Sequence, residues 1–185
     1  MRRLETRLEG PILIEPVVHG DERGFFQETY RRSLLGELGV HDEFVQDNHS
    51  RSAMGVVRGM HFQVDRGMSK LVRCARGAIL DVVVDIRRGS PTWAEWEAFE
   101  LNDENLHELY VPIGFAHGFC TLSDVADVIY KCDSYYSDEI ERGISYIDPE
   151  IAIEWPDIEL IPSKRDSEAP KLADVADELP FVYQP

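Results

Sequence analysis

Long apolar runs are missing from this 185-residue chain, and that absence sets the first limits. No stretch approaches the ~18 apolar residues of a membrane-crossing helix. The opening MRRLETRLEG also lacks the apolar centre of a secretory leader. The expectation is a cytoplasmic protein. Cysteine is scarce too. Cys74, Cys120 and Cys132 are odd in number, widely spaced and form no CxxC, so neither a disulfide framework nor a cysteine zinc site is implied. Basic residues are outnumbered, nineteen Lys and Arg against thirty-five Asp and Glu, for a formal charge of −16 and a pI near 4.7. Such a surface repels nucleic acid and anionic membranes, which removes both as expected partners. Internal repeats, low-complexity tracts and domain linkers are absent as well.

What is there suffices for one core. The residues are 43% hydrophobic and 10% aromatic, and the length suits one domain over 1–185. Fifteen of the nineteen basic residues are Arg, the better side chain for gripping phosphate through two parallel hydrogen bonds. A small anionic ligand therefore stays open despite the net charge. Short apolar runs punctuated by Gly, Pro, Asn and Asp predict an all-β sandwich or barrel, here a jelly roll with minor short helices. Residues 12–18 predict a strand interrupted by Pro16, and 29–38 predict a helix with Gly39 as its stop. Over 78–87, Leu80, Val82, Val84 and Ile86 share one face and Asp81, Val83, Asp85 and Arg87 the other. One face should enter a core and the second meet water or a polar cavity. Strands are also predicted over 108–111 and 125–132, and the charged, proline-bearing segment 156–185 is expected to wrap the surface.

Four polar clusters stand at the edges of these strands: DERGFF at 21–26, FVQDNHS at 44–50, VVRGMHFQ at 56–63 and VPIGFAHGF at 111–119. Glycine beside histidine lets backbone approach a ligand while the imidazole stays free for proton transfer. His61, flanked by Val56, Val57, Met60 and Phe62, suits a general base kept neutral in a semi-apolar pocket; the alternative is a buried histidine satisfied by one hydrogen bond. Arg23, Arg58, Lys70 and Arg73 supply cations around the clusters. The apolar neighbours of Arg23 and Arg58 point those two toward an anion, against the plain alternative of solvated charges. Tyr130, Tyr135 and Tyr136 offer a phenolic acid or a stacking face, or are ordinary strand aromatics. The six histidines include no HxH or HxxxH pair, and His49, His61 and His117 are far apart. A metal-dependent jelly-roll enzyme therefore has no spacing support.

Taken in order, GDERGFFQE, FVQDNHS, VVRGMHFQ, KLVRC, DIRRGSPT, VPIGFAHGF, IYKCDSYY, IEWP and SKRDSEAP resemble the dTDP-4-dehydrorhamnose 3,5-epimerase family over residues 12–170. The resemblance implies a cupin-like jelly roll (double-stranded β-helix), a homodimer with exchanged strands, and inversion at C3 and C5 of a dTDP-linked 4-keto-6-deoxyhexose without metal or other cofactor. It implies His61 as base paired with Asp166, Tyr130 as the opposing acid, and Lys70 near the ketone oxygen. Arg23, Glu28, Gln46, Asn48, Arg58, His117, Tyr136 and Glu141 match substrate-pocket positions, with Arg23 and Arg58 on the diphosphate and Tyr136 against the nucleobase. HFQVDRGMSK, from His61 to Lys70, is one residue shorter than the usual family form. Other readings are an epimerase of one carbon only, a metal cupin and a silent sugar-binding jelly roll.

Overall fold

A computed structural model describes residues 1–184. The chain runs through β1 (Arg2–Leu4), β2 (Ile12–Glu15), β3 (Val18–Asp21), β4 (Gly24–Gln27) and a short α1 (Arg32–Glu37). The body follows as β5 (Gln46–Ala53), β6 (Val56–Gln63), β7 (Lys70–Arg76), β8 (Ala78–Asp85), β9 (Trp96–Asn102), β10 (Glu108–Val111), β11 (Phe115–Thr121) and β12 (Val125–Cys132). The last part adds β13 (Glu141–Gly143), β14 (Ile161–Pro162), α2 (Lys164–Ser167) and α3 (Leu172–Val175).

Two sheets form, in the orders β1-β2-β10-β7-β12-β5 and β13-β6-β11-β8-β9. Their inner faces meet in a core of alternating residues, Val72, Cys74, Leu109 and Val128 from one sheet against Ile79, Val83, Phe115 and Phe119 from the other. This is the all-β jelly-roll expectation realised. The expected strands over 108–111 and 125–132 appear with those bounds. The first expected strand is split by Pro16 into β2 and β3. The helix is shorter than expected because Arg31, at its start, is extended and no side chain caps it.

The two faces of β8 have different neighbours. Val82, Val84 and Ile86 point out of the sandwich and are covered by Leu172, Leu179 and Phe181 of the C-terminal segment. Asp81 and Val83 point inward, and both are fully buried. The motif DIRRGSPT turns out to be a corner: Asp85 accepts hydrogen bonds from Arg87, Ser90 and Thr92. These bonds outweigh burial, which alone would raise the carboxyl, and hold Asp85 below its ordinary pKa.

Candidate active site

At one end of the sandwich, polar residues replace the apolar filling and enclose a cavity of about 530 Å³. Its position follows from strand alternation with one irregularity. Arg58 and His61 are three residues apart, so in a regular strand they would face opposite ways. The pairing of β6 with β11 slips between His117 and Phe119. The slip turns both Arg58 and His61 inward, while Val57, Met60 and Phe62 pack outward. It is possible because Gly59 (φ 130°) lies against Gly118: a Cβ on Gly59 would stand 2.4 Å from the Gly118 Cα.

His61 faces His117 across the ladder. Each imidazole has its own carboxylate. His61 Nε2 lies 2.6 Å from Asp166 Oδ1, and His117 Nε2 lies 2.9 Å from Asp81 Oδ1. Asp166 arrives from the C-terminal segment. β14 adds to β6 in parallel, and Ser163 caps α2 by accepting the Asp166 N–H. Burial pushes the Asp166 carboxyl up, but the bond to His61, its positive charge when protonated, and bonds from Ser163 and the Gly59 N–H outweigh it, so Asp166 sits below the ordinary carboxylate range. Desolvation is also the main influence on His117 and lowers its pKa, against Asp81, which raises it.

With Nε2 engaged, Nδ1 is the His61 nitrogen left for substrate. It looks toward Glu141 Oε1 at 3.9 Å, beyond hydrogen-bond reach. Glu141 is oriented by buried Gln63, whose Nε2 donates to Oε2 at 3.0 Å. Across the cavity stands Tyr130 of β12, its pKa raised first by burial and then by Cys132 and Glu141. Lys70 opens β7 beside Cys132; burial lowers its pKa, partly opposed by Glu141, Cys132 and Asp81. Lys70 lines the same cavity as His61 and Tyr130, where a donor can serve a developing oxyanion.

His61, Asp166, Tyr130, Lys70, Arg58, His117, Tyr136 and Glu141 thus line one cavity. Asn48 pairs with Tyr130 across β5 and β12, and Gln46 bonds both Asn48 and the Tyr136 N–H, so these two brace its wall. Arg23 and Glu28 do not border this cavity within the single chain. DERGFF forms the β3–β4 hairpin, which stands away from both sheets; Arg23 is 84% exposed and paired with Asp21, and Glu28 bonds Arg31. The neighbouring Phe25 and Phe26 are exposed rather than a dry wall. Arg73, three residues beyond Lys70, faces the other side of its sheet opposite Glu108. His49 also faces outward, toward Asp127 at 3.3 Å. Among the described residues no group of three or more His, Cys, Asp or Glu could hold a metal ion, and no helix is long and apolar enough to cross a membrane.

Sequence reasoning missed Asp81, Gln63 and Arg165. Asp81 was visible as an acid on the inward face of β8, and Arg165 as a cation beside Asp166. Neither spacing nor composition told which cavity they meet.

The comparisons agree with this geometry. Residues 5–174 match the family model described as dTDP-4-dehydrorhamnose 3,5-epimerase. The enzyme of that name from Methanothermobacter thermautotrophicus is 50% identical over 155 residues, 84% of each chain. The dTDP-6-deoxy-D-glucose-3,5-epimerase of Legionella pneumophila, solved with dTDP-4-keto-L-rhamnose, superimposes with a TM-score of 0.96 at 44% identity, covering 100% of this chain and 99% of its own. A 3'-monoepimerase from Streptomyces bikiniensis, solved with dTDP-quinovose, gives a TM-score of 0.89 at 38% identity over 94% of this chain and 89% of its own.

Proposed function

The chain belongs to the dTDP-4-dehydrorhamnose 3,5-epimerase family, and from that premise we propose how its own residues move the protons. It is an isomerase that inverts C3 and C5 of a dTDP-linked 4-keto-6-deoxyhexose. Both carbons flank the ketone at C4. Removing a proton from either sends charge to the ketone oxygen as an enolate, which brings a carbon acid within reach of imidazole.

His61 Nδ1 takes the proton, while Asp166 holds Nε2–H and stabilises the imidazolium that forms. Lys70 donates to the enolate oxygen from a buried position where a cation is worth most. Tyr130 returns a proton to the opposite face of the ring, which is what inverts the carbon. Glu141 and His117 border the sugar, Arg58 takes the diphosphate, and Tyr136 stacks on the base. The observation that carries this reading is the His61–Asp166 pair sharing one cavity with Tyr130 and Lys70.

Arg23 and Glu28 fit the same scheme only from another copy. The exposed, apolar β3–β4 hairpin supports a homodimer in which each chain extends that hairpin into its partner's cavity. The segment 156–185 acts with the sandwich as one unit, since it supplies Asp166. A cytoplasmic location suits an enzyme of a soluble nucleotide sugar.

The test is incubation with dTDP-4-keto-6-deoxyglucose in D2O, with proton NMR scoring deuterium at C3 and C5 separately. The native chain should label both carbons, and His61→Ala neither. Exchange retained by that variant would remove His61 as the base; label at one carbon only would make this a single-carbon epimerase.

A further inference from the structure

The wall that carries His61 has space on both sides. Behind it, between β6 and β13 on one side and α2 and α3 on the other, lies a second cavity of about 900 Å³. His61, Asp166, Glu141 and Arg165 border both cavities. The rear one is floored by Phe62, Val64, Ile144, Val175 and Leu179, and exposed Arg142, Lys164, Glu168 and Glu178 stand where it meets solvent.

Proton balance gives that space a task, on the reading of the site proposed above. In one inversion the C–H proton goes to His61, making an imidazolium, and the Tyr130 proton goes to the opposite face, leaving a phenolate. The sugar has gained and lost one proton, but base and acid are both spent. A second inversion by the same pair requires His61 Nδ1 to give its proton to water and the Tyr130 phenolate to take one back. Tyr130 can do so through a separate pocket it shares with Asn48, His49 and Lys131. A nucleotide sugar filling the front cavity would keep water from His61 on that side.

We propose that the rear cavity is the path by which His61 discharges its proton to solvent between the two inversions. Glu141, whose Oε1 lies 3.9 Å from the Nδ1 that took the proton and which borders both cavities, lies at the start of that path. Nε2–H stays on Asp166, so the ring returns to the tautomer it began in. The front cavity can then stay dry for enolate chemistry while the base still resets.

Two side chains allow a plug without touching the front cavity. Ala169 lies three residues past Asp166, and Val175 comes from α3; both border only the rear space. Ala169→Phe and Val175→Phe should each leave the first inversion in D2O within about twofold of native and slow the second about tenfold, so that singly inverted product accumulates. Quenched time points read by proton NMR give both rates from one sample. An unchanged ratio of singly to doubly inverted product in both variants, or equal slowing of both steps, would overturn the path. Failure of the native chain to label either carbon would instead overturn the site reading itself.

Discussion

Glu108 offers the sharpest test of the electrostatics. It is 1% exposed on β10, and neither carboxylate oxygen has a hydrogen-bond partner. Burial raises its pKa from 4.5 to about 8, although the charges of Arg73 and Lys131 pull it down. The folded chain therefore holds this proton more tightly than the unfolded chain does. Stability from that source is fully present below about pH 4.5 and is lost as the pH rises through about 8. The full difference corresponds to about 5 kcal/mol, an upper bound, and relaxation around the charge should reduce it to about 2–3 kcal/mol. Glu108→Gln cannot ionise, so its stability should lack this loss. Chemical denaturation of both proteins at a fixed chain concentration, stepped from about pH 5 through about pH 8 and beyond it, gives the difference directly. The variant should gain on the native protein by up to about 1 kcal/mol per pH unit across that window and then level off. The offset at low pH is not the test, because the added amide also needs partners. Parallel profiles would refute the reasoning and would mean that Arg73, opposite on β7, already neutralises the carboxylate.

Two further outcomes follow from the site and the hairpin. Tyr130→Phe should spare first proton removal, read as deuterium exchange, and reduce complete inversion by about 10²- to 10⁴-fold; equal losses in both would argue against acid and base on opposite faces. Phe26→Asp, on a side chain 71% exposed, should shift the chain from a pair to a single copy in light scattering and cut activity at least about tenfold, whereas an unchanged mass would separate the hairpin from assembly.

Much of the framework was legible because alternation in a strand is local. Residues 108–111 and 125–132 carry their pattern in their own side chains, and the structure keeps those bounds. The same alternation explains why Tyr130 enters the cavity while Lys131 turns out to Asp47 at 2.9 Å. Where alternation failed, so did legibility. Arg58 and His61 share a side only through the slip opposite Gly118, which no period in the sequence announces. Asp166 is 105 residues from its imidazole, so the family resemblance found the pair and spacing did not. The apolar neighbours of Arg23 did not tell its setting: in a two-stranded hairpin with no sheet behind it, Phe25 and Phe26 lie open.

The distance along the chain between base and carboxylate has a consequence for the life of the molecule. Translation completes β1 to β13 well before it adds Asp166, so a nascent chain carries an imidazole that its carboxylate does not yet hold. A protease nick in the stretch between Trp155 and Ser163 would return a full-length copy to that juvenile condition whenever the severed piece drifts off. The catalyst would fall silent, and Val82, Val84 and Ile86 of the outer face would lose the cover of Leu172, Leu179 and Phe181.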